Sequence, residues 1–279
     1  MSINAAHIID VLIAERAPRL TGSWAWPMVR PVLYSLLGYP KAVAMADAMQ
    51  PLSGDEALAY VSNLLHLDVT TTGLENLPAT GRCVIVCNHP TGIADGVAMY
   101  DAIRAVRQDA IFFANADALR VAPRLLETII PVEWVHAKRT RDKTRNTLNV
   151  AKQAFADERC VVMFPAGRLA RVEQGVLVDE PWESSAVSLA RKHSAAIVPV
   201  HLTGPTSRLF HLFDKVSREL RDVTLFHELL NKEGQRFSLT FAKPVLPAQL
   251  DVDADRATLQ LKTYIERQLA AQPNAPFKA

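Results

Sequence analysis

Short apolar runs punctuate the second part of the chain, and amphipathic stretches lie between them. The runs are Val84–Val86, Ala110–Phe113, Ile129–Val132, Cys160–Phe164, Ile197–Leu202 and Phe237–Phe241. Runs of this length, rich in β-branched residues and bounded by turn formers, read as buried strands. Apolar positions three and four apart predict helices over Asp95–Val106, Ala116–Glu127, Arg141–Phe155 and Trp182–His193, with one or more in 205–232. In 141–155, Leu148, Ala151 and Phe155 mark one face, while Lys143, Arg145 and Lys152 lie elsewhere. Strand and helix in alternation predict an α/β fold: a mostly parallel or mixed central sheet covered by helices on both faces.

Residues 1–66 have a different pattern. They read as helices broken at Pro18, Gly22, Pro27, Pro31, Gly38 to Pro40 and Pro51 to Gly54. Ser53-Gly-Asp-Glu56 opens the last of these, with two acids at the positive end of its dipole. The period then shortens, and Leu67, Val69 and Thr71 alternate as an edge strand. The expected organisation is an N-terminal helical region over 1–66, a main domain over 67–250, and a C-terminal helix and tail over 251–279. Two details stay open. Trp24 to Leu37 mixes indoles, Leu and Val with nearby Arg19 and Arg30, which suits either a membrane-surface helix or a helix packed on the core. Pro199 within its strand demands an edge position or a bulge.

Composition narrows this only modestly. The 279 residues are 49% hydrophobic and 22% charged, with a net charge of +2, so any electrostatic function is local. Cys83, Cys87 and Cys160 fit no zinc or redox spacing and read as reduced, buried thiols of a cytosolic protein. The first residues lack the basic and apolar regions of a signal peptide, and no apolar run is long enough to span a bilayer. There is no Gly-x-Ser-x-Gly elbow, nucleotide-binding glycine loop or His-Glu-x-x-His set. Serine hydrolase, NTPase, dehydrogenase and zinc-enzyme readings are therefore disfavoured.

Candidate chemistry gathers where strands end. After Val84–Cys87 the chain runs Asn88-His-Pro-Thr-Gly-Ile-Ala-Asp95-Gly96. An imidazole at a strand's carboxyl end and a carboxylate at a helix start can meet, and the carboxylate can fix the ring's tautomer. Read alone, His89 is equally a loop histidine and Asp95 a helix cap. Phe164-Pro-Ala-Gly167 ends another strand and puts Arg168 and Arg171 beyond it, suited to an anion or to solvent. His136-Ala-Lys-Arg-Thr-Arg-Asp-Lys-Thr-Arg145 is a basic block that can receive phosphate, a phosphopantetheine arm or an acidic carrier protein. It lacks the interleaved aromatics of a nucleic-acid site. His201 reads as a packing or surface histidine.

In this order the motifs resemble the glycerolipid acyltransferase superfamily, of which lysophosphatidic acid acyltransferase is a familiar member. The resemblance rests on Asn88-His89 with Asp95, Arg139 in its basic block, Phe164-Pro165-Ala166-Gly167 and Ile197-Val-Pro-Val200, and covers roughly 67–245. Two features depart from the family's usual pattern. Five residues, where four are usual, separate His89 from Asp95, and Ala166 replaces a glutamate. Both are similar to the branch of ornithine-lipid acyltransferases and hemolysin-like proteins, as are Pro181-Trp182 and Glu228-Leu-Leu-Asn231.

The resemblance implies acyl transfer from acyl carrier protein or a CoA thioester to a hydroxyl of a lysolipid, lysophosphatidic acid-like or lyso-ornithine-lipid-like. His89 would be the general base and Asp95 its orienting partner. Asn88, Gly92, Arg139, Phe164, Pro165, Gly167 and Arg168 would bind substrate, and backbone N–H groups near Gly92 or Gly167 would receive the oxyanion. No metal, permanently bound cofactor, covalent enzyme intermediate or nucleic acid is implied. The expected location is cytoplasmic, peripheral at the inner face of the membrane. The altered spacing and Ala166 also motivate a non-catalytic lipid- or carrier-binding protein on the same fold, and hydrolysis of the donor is a third possibility.

Overall fold

The computed structural model describes residues 6–133, 138–173 and 176–278. Its centre is a seven-stranded sheet. The strands are β1 (Asp68–Thr72), β2 (Cys83–Cys87), β3 (Ile111–Asn115), β4 (Ile129–Val132), β5 (Cys160–Met163), β8 (Ala196–Thr203) and β9 (Arg236–Phe241), in the order β1-β9-β8-β2-β5-β3-β4. All neighbours pair in parallel except β8 with β9, so the sheet is mixed. β1 lies at one edge, where its alternating, half-polar pattern belongs. β2 is central and buried along its whole length.

Alternation along β2 divides the core. Cys83, Ile85 and Cys87 face one cluster with α5 (Gly54–Leu65), α6 (Ile93–Ile103) and α12 (Leu225–Leu230). Val84 and Val86 face another with α8 (Arg141–Ala156), α9 (Ser185–Lys192) and α13 (Ala254–Thr263). Helices therefore cover both faces, as a parallel core requires. A third cluster joins α1 (Ile8–Arg16), α3 (Trp26–Leu36) and α4 (Tyr39–Met49) to α10 (Arg208–Val216) and α11 (Arg218–Val223). α2 (Pro18–Thr21) links the first two of these. The Ser53–Glu56 capping box is formed, with Glu56 N–H donating to Ser53 Oγ at 3.3 Å and Ser53 N–H to Glu56 Oε2 at 2.8 Å.

Several expectations need correction. The helix expected over Ala116–Glu127 is a short α7 (Ala118–Val121) and a 3-10 turn over Pro123–Glu127. Pro123 forces Ala122 into an extended conformation and ends the first helix. Two strands that the apolar pattern does not predict, β6 (Arg171–Glu173) and β7 (Val176–Val178), pair antiparallel. Pro199 is not at an edge: β8 lies between β2 and β9. Its strain is met by the bulge alternative. The Pro199 carbonyl accepts Ala242 N–H, whereas Ile197 pairs with Val245, leaving one extra residue on the facing chain. The tail helix widens into a π turn over Tyr264–Leu269.

No described helix is long and apolar enough to cross a membrane. In and beside α3, Leu33 and Leu37 are buried, while Trp24, Met28, Val32 and Leu36 are 87, 74, 71 and 55% exposed. The segment thus packs one face on the core and leaves an apolar face exposed.

Candidate active site

Because β2, β5, β4 and β8 run the same way, their carboxyl ends share one edge of the sheet. His89, Phe164–Gly167, Arg139 and Gly204 follow those four ends. The crevice at such an edge is where an open α/β sheet binds ligands.

His89 is held from four sides. Its Nδ1 lies 2.9 Å from Asp95 Oδ2. The approach is bent away from a linear hydrogen bond, as unliganded catalytic pairs often are. The Phe164 ring stacks on the imidazole, centroids 4.6 Å apart and planes at 29°. Its carbonyl accepts Ala170 N–H at 3.1 Å. Its own N–H donates to both oxygens of Asp179, at 3.0 and 3.2 Å. Nε2 makes no described hydrogen bond and is the ring atom left for a substrate.

Asp95 is fully buried. It accepts Thr91 N–H at 2.9 Å, Thr91 Oγ1–H at 2.6 Å and Gly92 N–H at 3.0 Å. As the third residue of α6, it caps that helix and faces the imidazole with the same carboxylate. The two readings of Asp95 are therefore one arrangement. The extra residue of the turn is absorbed at Gly92, with φ 87° and ψ −134°. A Cβ there would lie 2.8–2.9 Å from three side-chain carbons of Leu169, so the Phe164–Ala170 loop packs directly on the turn. Gly167, at φ 62°, lets that loop reverse.

Other candidates are placed differently. Asn88 bonds the backbone of β8, accepting Leu202 N–H at 2.7 Å and donating to its carbonyl at 2.8 Å. Its amide extends the sheet by one residue and sets the direction of His89. The N–H groups of Gly92 and Gly167 are also engaged, with Asp95 and with the Phe164 carbonyl at 2.9 Å. An oxyanion donor near Gly92 or Gly167 would therefore be a neighbouring amide. Arg168 and Leu169, next along the loop, make no described hydrogen bond through their N–H groups. Pro165 is buried and its carbonyl accepts Glu183 N–H at 3.1 Å.

Of the basic block, His136 and Ala137 lie outside the described residues. Lys138 pairs with Glu15 at 2.8 Å and Lys143 with Glu133 at 2.8 Å. Arg139 donates from Nε to the Glu133 carbonyl at 2.9 Å. Arg141 and Arg145 stand exposed on α8 without a described ion pair, as does Arg168 on its loop. Arg171 pairs with Glu180 at 2.7 Å. His201 is half-buried in β8, and burial lowers its pKa.

The sequence did not single out two buried charges. Asp179 is 6% exposed and burial pushes its carboxyl up to about 6, although His89 and the Trp182 indole draw it down. Lys232 is 2% exposed, 3.5 Å from Glu228. Burial lowers its pKa, opposed by the charges of Glu228 and Asp95. The motifs Pro181-Trp182 and Glu228–Asn231 pointed to the neighbourhoods but not to the roles.

A half-buried histidine against a buried carboxylate at a sheet's carboxyl edge, with one ring nitrogen free of described hydrogen bonds, has the arrangement that general-base chemistry uses. Residues 68–203 match the family model "Acyltransferase". The chain is 28% identical over 198 residues to a lyso-glycine lipid O-acyltransferase of Phocaeicola vulgatus, covering 69% of each chain. It is 26% identical over 219 residues to one of Bacteroides thetaiotaomicron, covering 76% of this chain and 78% of that one. The crystal structure of the 1-acyl-sn-glycerophosphate (LPA) acyltransferase PlsC from Thermotoga maritima overlays with a TM-score of 0.47 at 14% identity, over 95% of this chain and 98% of that one. The family match and the two relatives define the chain as an acyltransferase. Residues 68–203 carry the acyltransferase family's pattern, and with the two relatives they support the glycerolipid acyltransferase superfamily.

Proposed function

We propose that the chain moves a fatty acyl group from a thioester, carried by acyl carrier protein or CoA, to a hydroxyl of a lysolipid. The observation that carries this is the 2.9 Å contact of His89 Nδ1 with fully buried Asp95. Nε2 accepts the hydroxyl proton as the oxygen attacks the thioester carbonyl. The tetrahedral intermediate then expels the thiolate, which takes the proton back from the imidazolium. An ester and a free thiol result, and the histidine is regenerated. Asp95 stabilises the imidazolium and holds the tautomer with its proton on Nδ1.

Asn88, Gly92, Phe164 and Pro165 shape this site rather than grip a substrate. Arg168 and Arg139 remain the candidates for an anionic group on the acceptor. The curated relatives are named for a lyso-glycine lipid, and this supports a lysolipid acceptor here. The exposed start of α8, with Arg141, Arg145 and Leu148 along one cleft of about 530 Å³, suits an acidic donor carrier or the phosphates of CoA. The outer face of α3 suits shallow docking on the inner face of the membrane. The non-catalytic alternative loses one of its two motives, because the five-residue turn still brings Asp95 to His89; Ala166 remains the other.

The test is His89→Ala in purified protein, with free thiol release and acylated lipid both measured. Loss of both is expected. Near-wild-type transfer would remove His89 as the base, and thiol release without acylated lipid would indicate hydrolysis.

A further inference from the structure

The main chain of His89 is gripped by a carboxylate ninety positions away. Asp179 Oδ2 accepts His89 N–H at 3.0 Å and the Trp182 indole N–H at 3.0 Å. Asp179 N–H donates to Glu266 Oε1 at 3.3 Å. Lys262 Nζ holds Glu266 at 2.5 and 2.6 Å and lies 5.9 Å from the centre of the Trp182 ring. One network thus ties α13 and its π turn to the backbone of His89.

A neutral acceptor would satisfy an amide N–H, and an ionised one is costly to bury. The carboxylate is nonetheless placed against the His89 main chain, close enough for a charge on that histidine to draw the carboxyl's pKa down. Cys87 on β2 and Glu266 also face it, and Arg171, Glu180, Asp255 and Lys262 line the cleft on its outer side. Buried charges of this kind gather at functional sites.

Building on the acyl-transfer reading, we propose that Asp179 is a positioning residue. It fixes the His89 main chain so that the imidazole faces Asp95, and its charge steadies the imidazolium formed when His89 takes the acceptor's proton. The contact is to backbone N–H, so Asp179 acts through His89 and not on substrate.

Asp179→Asn and Asp179→Ala separate these parts. Asparagine can place its Oδ1 where Oδ2 stands, keeping both hydrogen bonds and deleting the charge. It should lower kcat about tenfold with KM little changed, and move the acidic limb of kcat/KM to lower pH. Alanine should lower kcat about a hundredfold, since the hydrogen bonds are lost as well. At pH 8 the asparagine variant should melt at or above the wild-type temperature, because a buried charge has gone. A residue that only supports the fold would instead lower the melting temperature and leave the pH profile of the surviving activity unmoved. That result, or wild-type kcat in both variants, overturns the inference. A wild-type protein that transfers no acyl group overturns the acyl-transfer reading itself.

Discussion

Replacing Gly92 with alanine tests how the turn delivers Asp95 to His89. The perturbation has two separable parts. Gly92 sits at φ 87°, ψ −134°, where a side chain strains the backbone by about 1–3 kcal/mol. The new Cβ also meets Leu169 Cγ, Cδ1 and Cδ2 at 2.8–2.9 Å, and overpacking of this kind costs about 1–3 kcal/mol. Together they amount to about 2–6 kcal/mol, or a fall in Tm of roughly 5–20 °C for a chain of this size. Leucine can rotate away, so the second part is recoverable. In a double-mutant cycle, Leu169→Ala should relieve about 1–2 kcal/mol of the Gly92→Ala penalty, and the backbone strain should remain. Activity should fall further than stability, because displacing Leu169 loosens the Ala170–His89 hydrogen bond and the Phe164 stack. Thermal melts and thioester turnover on the four proteins provide the cycle. A Gly92→Ala protein that melts with the wild type, or a cycle with no coupling, would refute this account of the turn.

Asp95→Asn should lower kcat by about 10²–10⁴, less than His89→Ala, with KM within a few-fold; equal kcat for wild type and Asp95→Asn would sink the orienting role. Lys232→Met strands Glu228 in the core and should cost about 3–5 kcal/mol in urea melts, most of it recovered when Glu228→Gln is added. Asp179's raised pKa means its folded form keeps a proton that the unfolded chain has released, so stability falls as pH rises from about 4 to about 6. Asp179→Asn should flatten that slope and gain about 1–3 kcal/mol above pH 6, checked by melts across the range. Changing Trp24, Met28 and Val32 together to serine should reduce co-sedimentation with anionic vesicles while leaving Tm unchanged. Trp26 is a poor choice for that test, because it packs edge-on against Tyr34 at 5.9 Å.

The buried strands were legible from local sequence, because a strand covered on both faces must be apolar at nearly every position, as Val84–Cys87 is. The order of the motifs along the chain was equally legible, and the parallel strands β2, β5, β4 and β8 then deliver the motif-bearing ends to one edge. Local chemistry also gave the Ser53 cap and the tight turn at Gly92. Pro123 breaks the helix, but the apolar pattern continues past it, so periodicity alone predicts one helix there.

What tertiary structure alone decided involves partners far apart in sequence. Asn88 meets Leu202 across 114 positions, and His89 meets Asp179 across 90. Neither short-range periodicity nor residue type encodes such pairings, since they depend on which strands become neighbours. The same is true of Pro199, opposite which the chain after β9 carries an extra residue between Ala242 and Val245, and of α3, where packing against α1 and α4 determines which leucines are left outside. The sequence therefore set the local elements and the residues able to do chemistry. Packing chose their partners, and through them which ring nitrogen of His89 stays free to react.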